Sequence, residues 1–84
     1  MSIEELRTQI DSIDRQLVTL LNQRFDVVKA VGQWKRENNI PILNAKREEE
    51  VIRKVTSELP EDRKEAFSLI YHAIMDAAKL YEKD

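Results

Sequence analysis

Six charged side chains stand on or beside helical rows that are otherwise apolar. Arg24 lies on the apolar row of a long amino-terminal stretch, and Val28, Val31 and Lys35 follow on the same side at i+4, i+7 and i+11. Eleven residues turn an α-helix only about 20° past three full turns, so Arg24 and Lys35 point the same way, roughly 16 Å apart along the axis. Long side chains from both can converge on a small anion. Arg7 borders the same row beside Leu6 and Ile10, too far along the helix to share that site unless a partner chain delivers it. Arg47 leads Val51 and Val55 at spacings of four, Glu48 leads Ile52, Val55 and Leu59, and the row Tyr71, Met75, Ala78 and Glu82 ends in a carboxylate. Buried charge is costly unless it is paired or liganded. Cations and two carboxylates on inward rows therefore point to a pocket for a polyanionic small molecule. Taken singly, Arg24 also suits a register device or a snorkelling side chain, and Arg7, Lys35, Arg47 and Glu48 suit solvated faces.

Three helices must position these groups. Ile3, Leu6, Ile10, Ile13, Leu17, Leu20, Val27, Val31 and Trp34 recur at helical spacing, forming a heptad seam interrupted by Arg24. Ser2 with Glu5 reads as a capping box, and Ile40 before Pro41 is biased toward extended geometry, so the first helix is expected over about 3–38. Asn44 suits the N-cap of a second helix over about 45–57. Pro60, Glu61 and Asp62 open a third over about 60–82, with Phe67, Ile70, Ala73, Ile74, Ala77 and Tyr81 as its inner stripe. Trp34 and Phe67 read as core. The fold class is all-α, a single domain of one long, one short and one medium helix. A first helix on the order of 50 Å long overhangs a compact globule of this size, about 25 Å across. Pairing of two long helices in an intertwined homodimer covers the overhang. A long coiled coil with a loose tail is the rival arrangement.

Composition narrows the chemistry. The 84 residues carry 14 basic and 16 acidic side chains, a balance with no footprint for nucleic acid or an anionic membrane surface. Cysteine is absent, which removes disulfides, thiol catalysis and thiolate metal sites. His72 is the single histidine and has no ligand set around it in sequence, and Ser12, Ser57 and Ser68 lack a histidine at a nucleophile's spacing. No apolar run approaches the roughly 18 residues of a membrane span, and the acidic start lacks a signal pattern, so a cytoplasmic protein is expected.

Five stretches together resemble the all-helical chorismate mutases. They are Leu6-Arg7 with Ile10-Asp11 and Ile13-Asp14; Leu20-Leu21-Asn22-Gln23-Arg24; Val31-Gly32-Gln33-Trp34-Lys35; Ile40-Pro41-Ile42 leading to Arg47-Glu48-Glu49-Glu50-Val51; and Ile74 through Glu82. The proline followed six residues on by Arg-Glu is the most specific, and the matches cover nearly the whole chain in order. The resemblance implies an intertwined homodimer with two sites, each drawing on both chains, and rearrangement of chorismate to prephenate on the route to phenylalanine and tyrosine. By position, Arg7 of the partner chain would hold one substrate carboxylate and Arg24 the other. Lys35 would donate to the ether oxygen whose bond breaks. Arg47 would support the carboxylate and position Glu48, which would accept the substrate hydroxyl beside the backbone of Asn44. Val31, Val51 and Met75 would form apolar walls. Such a unimolecular pericyclic reaction needs no nucleophile, metal or other cofactor. It needs a dianion held in a compact conformer and a donor where negative charge develops.

Three departures from the family's usual residues stand in the sequence. The family commonly has glutamine where this chain has Glu82 and serine where it has Ala78; Asn44 stands where aspartate is frequent. Glu82 completes the implied catalytic set with Arg24 and Lys35, but a carboxylate donates a hydrogen bond only when protonated, whereas an amide donates at any pH. Activity is therefore expected to fall as rising pH removes that proton. Ala78 lacks a hydroxyl that could meet a substrate carboxylate, which weakens binding without abolishing function. The lyase that splits isochorismate into salicylate and pyruvate shares this fold and is an alternative. A catalytically silent dimeric module that binds a pathway metabolite is another.

Overall fold

The Ser2 hydroxyl accepts the N–H of Glu5 at 3.1 Å, and Glu4 and Glu5 sit at the positive end of the helix that follows. The computed structural model describes residues 1–82, and this first helix, α1, spans Ile3–Glu37. Its end has a cause the sequence reading did not identify. Asn39 takes the left-handed conformation (φ 56°), Ile40 N–H reaches back to the Lys35 carbonyl at 2.8 Å, and Asn39 N–H to that of Arg36 at 3.3 Å. That is a Schellman closure with asparagine in the place glycine usually fills, so the turn is made before Pro41 is reached.

The Asn44 side chain accepts the Arg47 N–H at 3.0 Å and caps α2, Ala45–Thr56. Pro60 lies just before α3, Glu61–Glu82, and its carbonyl accepts the Arg63 N–H at 3.0 Å. Each expected helix is present, with no end displaced by more than a single residue. The described residues contain no strand, and none of their helices is long and apolar enough to cross a membrane.

Helix α3 is the middle layer. It packs against α1 and against α2, while α1 and α2 do not pack on each other. The buried side chains of α3 are Met75 and Ala78, each 6% exposed. The expected inner stripe is thus rotated: Phe67, Ile74 and Ala77 are half-buried, but Ile70, Ala73 and Tyr81 are exposed in this chain. Trp34, expected in the core, is 56% exposed. The molecule measures 54 × 26 × 16 Å, with a radius of gyration of 15.9 Å; a compact chain of this length has about 12 Å. Ile3, Ile10, Ile13, Leu17 and Leu20 are all about half or more exposed, making a continuous apolar row along the overhanging half of α1.

Contact between α1 and the end of α3 depends on the chain's single glycine. A Cβ at Gly32 would lie 2.6 Å from the carbonyl oxygen of Glu82 and 2.7 Å from its Cα. Phe25 packs on Tyr81 with ring centroids 4.8 Å apart, and Lys29 Nζ lies 5.5 Å from the Tyr81 centroid. Gly32→Val is expected to lower the free energy of unfolding by about 2 kcal/mol, because the intruding atoms meet backbone that cannot rotate away. An unchanged denaturant midpoint in that variant would contradict the close approach.

Candidate active site

A cleft of about 380 Å³ opens between α1 and α2, with α3 as its floor. From α1 come Arg24, Val27, Val28, Val31 and Lys35; from the connection, Ile42 and Asn44; from α2, Arg47, Glu48 and Val51; from α3, Met75, Ala78, Lys79 and Glu82. Ten residues singled out in sequence thus meet around one space. Arg7 does not line it. It is exposed on α1, seventeen residues before Arg24, a separation of about 25 Å along the axis.

Helical spacing explains the convergence. Arg24, Val28, Val31 and Lys35 form one stripe of α1, and Met75, Ala78, Lys79 and Glu82 form one stripe of α3. Arg24 Nη1 is closed off from solvent and has no hydrogen-bond partner among the described residues. Arg24 itself is half-buried and lines the cleft, and its planar, permanently charged guanidinium suits a carboxylate there.

Lys35 is held from two sides. Its Nζ donates to the Ile42 carbonyl at 2.9 Å and lies 3.9 Å from Glu82 Oε1; the two side chains are 17% and 14% exposed. The Schellman turn sets this up, because it returns the chain so that the Ile42 carbonyl faces back along α1. An ammonium has three donors, so one bond to Ile42 leaves others for a ligand while fixing where they point. Glu82 is anchored through its backbone as well, since Arg36 Nη1 donates to its carbonyl oxygen.

On the opposite wall the pairing departs from expectation. Arg47 Nη1 meets Glu50 Oε1 at 3.1 Å, and Glu48 Oε2 instead lies 3.4 Å from Lys79 Nζ. Lys79 also donates to Asp76 Oδ1 at 3.3 Å. The Asp76 hydrogen bond is the largest influence raising the Lys79 ammonium above the usual lysine range; desolvation opposes it and Glu48 reinforces it. Lys79 is therefore a cation at neutral pH. The sequence reading did not select it, or Val27, Val28 and Ile42, as site residues. The signal was available for Lys79, which stands four residues after Met75 and three before Glu82 on the same stripe.

The cleft thus holds four cations, Arg24, Lys35, Arg47 and Lys79, against two carboxylates, Glu48 and Glu82. Its walls between them are Val31, Val51, Met75 and Ala78. A small dianion with an apolar body and a hydroxyl satisfies this distribution: carboxylates to the cations, hydroxyl to Glu48, ring against the walls. Among the described residues no group of three or more His, Cys, Asp or Glu side chains is placed to hold a metal ion.

The family described as chorismate mutase type II matches residues 6–83 of the chain. A bifunctional chorismate mutase/prephenate dehydratase from Aquifex aeolicus is 40% identical over 53 residues, which are 63% of this chain and 15% of that protein. A T-protein from Haemophilus influenzae is 38% identical over 47 residues, 56% of this chain and 12% of its own. A T-protein from Enterobacter agglomerans is 41% identical over 64 residues, 76% and 15% respectively. The matched segments thus span only 12% to 15% of these curated relatives. No solved structure matches the chain.

Proposed function

As the chain belongs to the chorismate mutase type II family, we propose that it converts chorismate to prephenate in this cleft, within aromatic amino-acid biosynthesis. The observation that carries the proposal is that Arg24, Lys35 and Glu48 line one cleft with apolar walls between them. Chorismate is a dicarboxylate with a ring hydroxyl and an ether link to an enolpyruvyl group. In the rearrangement the ether C–O bond breaks as a C–C bond forms between the enolpyruvyl carbon and the ring, and electron density builds on the ether oxygen. No atom is gained or lost. Arg24 binds a carboxylate and draws the side chain over the ring, which removes rotational freedom before the reaction. Lys35, already fixed by Ile42, donates to the ether oxygen as charge develops, so little reorganisation is needed. Glu48 accepts the ring hydroxyl, and Val31, Val51, Met75 and Ala78 enclose the ring.

The cleft of one chain supplies firm cations for one end of the dianion, and we assign the second carboxylate to Arg7 of a partner chain. The exposed apolar row from Ile3 to Leu20 supports a homodimer in which two α1 helices pair, carrying each Arg7 toward the other chain's cleft. A cytoplasmic setting belongs to the same proposal, since a dianionic substrate does not cross a bilayer unaided.

Glu82 lies beside Lys35, where an amide donor would reach the ether oxygen and an ionised carboxylate can only accept. Glu82→Gln, which supplies that donor, is expected to raise kcat for chorismate in steady-state kinetics. An unchanged or lower kcat in Glu82→Gln would contradict a place for a donor at this position.

Product analysis tests the function itself. Incubation of the purified protein with chorismate should yield prephenate and no pyruvate. Pyruvate and salicylate from isochorismate, with no prephenate from chorismate, would identify the lyase; binding without turnover would identify a silent module.

A further inference from the structure

Resting on the chorismate reading above, we propose that Lys79 is the positioning residue for Glu48, holding that carboxylate turned to accept the ring hydroxyl. Two observations carry this. Arg47, the side chain expected to orient Glu48, is turned outward to Glu50 at 3.1 Å, with its side chain 57% exposed. Lys79 lines the same cleft as Glu48 and is the cation facing it, 3.4 Å from Oε2, with both side chains about a quarter to a third exposed. The pair joins α2 to α3, so the carboxylate is fixed from the floor of the cleft rather than from its own helix.

The local geometry makes the arrangement directional. Asp76 lies three residues before Lys79 on the more exposed side of α3 and holds the ammonium at 3.3 Å. Two of the three ammonium donors are thereby directed, one to each carboxylate, and the lysine stem loses the rotamers that would carry it into solvent. A carboxylate held in one orientation is the better hydroxyl acceptor, since charge-assisted hydrogen bonds are the shorter and stronger kind and need their partners aligned. The contact acts on bound substrate before the reaction as well as during it, so its loss shows mainly in KM.

A double-mutant cycle with steady-state kinetics on chorismate tests the pairing. Lys79→Met keeps the stem and removes the charge; it is expected to raise KM about tenfold with a smaller change in kcat, and Lys79→Arg to restore most of the loss. In a Glu48→Gln background, Lys79→Met should cost nothing further, because the neutral amide has no charge to hold. Retained helical circular dichroism in each variant separates these effects from unfolding. Losses that multiply across the cycle, or wild-type kinetics in Lys79→Met, would overturn the proposal while leaving the chorismate reading intact. A wild-type protein without turnover of chorismate would instead remove the chorismate reading, and the role of Lys79 with it.

Discussion

Arg24→Ala is expected to lower kcat/KM for chorismate by about 10³-fold while leaving the helical fold in place. The size follows from what the guanidinium supplies. It is half-buried and lines the cleft, and Nη1 has no partner among the described residues, so a substrate carboxylate gains a charge-assisted hydrogen bond from a guanidinium not tied to another side chain through that atom. Removal of one such preorganised donor from an active site commonly costs 10²–10³-fold, and Arg24 also sets the conformer that brings the reacting carbons together. The stability consequence has the opposite sign. An unsatisfied buried donor costs about 1–3 kcal/mol, so the alanine variant without ligand should unfold at a temperature no lower than the wild type. Thermal unfolding and steady-state kinetics on the same preparations check both halves. A variant that loses activity only because it melts would contradict the assignment.

Lys35→Met is the second large effect, again about 10³-fold, but with a different signature. Lys35 serves an oxygen whose charge develops only as the C–O bond breaks. Its loss should therefore appear mostly in kcat, whereas that of Arg24 should appear in kcat and KM together. The methionine retains the apolar stem and removes the ammonium. It also removes the hydrogen bond to the Ile42 carbonyl at 2.9 Å, so some loosening of the loop after α1 is expected as a small drop in thermal midpoint. Unchanged kcat with raised KM would show Lys35 to be a simple anchor for a carboxylate.

Much of this was legible in the sequence because helices impose a strict period. The capping residues Ser2 and Asn44 mark two helix starts, and both accept the expected backbone N–H at 3.1 and 3.0 Å. The stripe from Arg24 to Lys35 follows from 3.6 residues per turn, and the cleft uses it as such. What periodicity does not fix is how far a helix is rotated about its own axis when apolar residues surround it. On α3 the broad set of Ile70, Ala73, Ile74, Ala77 and Tyr81 obscured the narrower row of Met75 and Ala78 that is buried in the chain. Long polar side chains are the other blind spot. Arg47 and Lys79 each reach several carboxylates, and backbone position alone does not say that Arg47 takes Glu50 while Lys79 takes Glu48. The close of α1 was placed correctly for an incomplete reason: Pro41 forbids continuation, but the left-handed Asn39 performs the turn.

The overhang of α1 links fold to function. Half of its apolar row lies outside the contact with α3, and Arg7 sits on that half, remote from the cleft of its own chain. If two chains complete each other's sites, two different inactive variants must be able to rescue one another. Arg7→Ala and Arg24→Ala, each alone, should show almost no conversion of chorismate to prephenate. Unfolded together and refolded, about half of the dimers are mixed, and each mixed dimer holds one site with both arginines intact, so prephenate formation should return to about a quarter of the wild-type rate. A refolded mixture as inactive as its two parents would contradict both the shared site and the partner's delivery of Arg7.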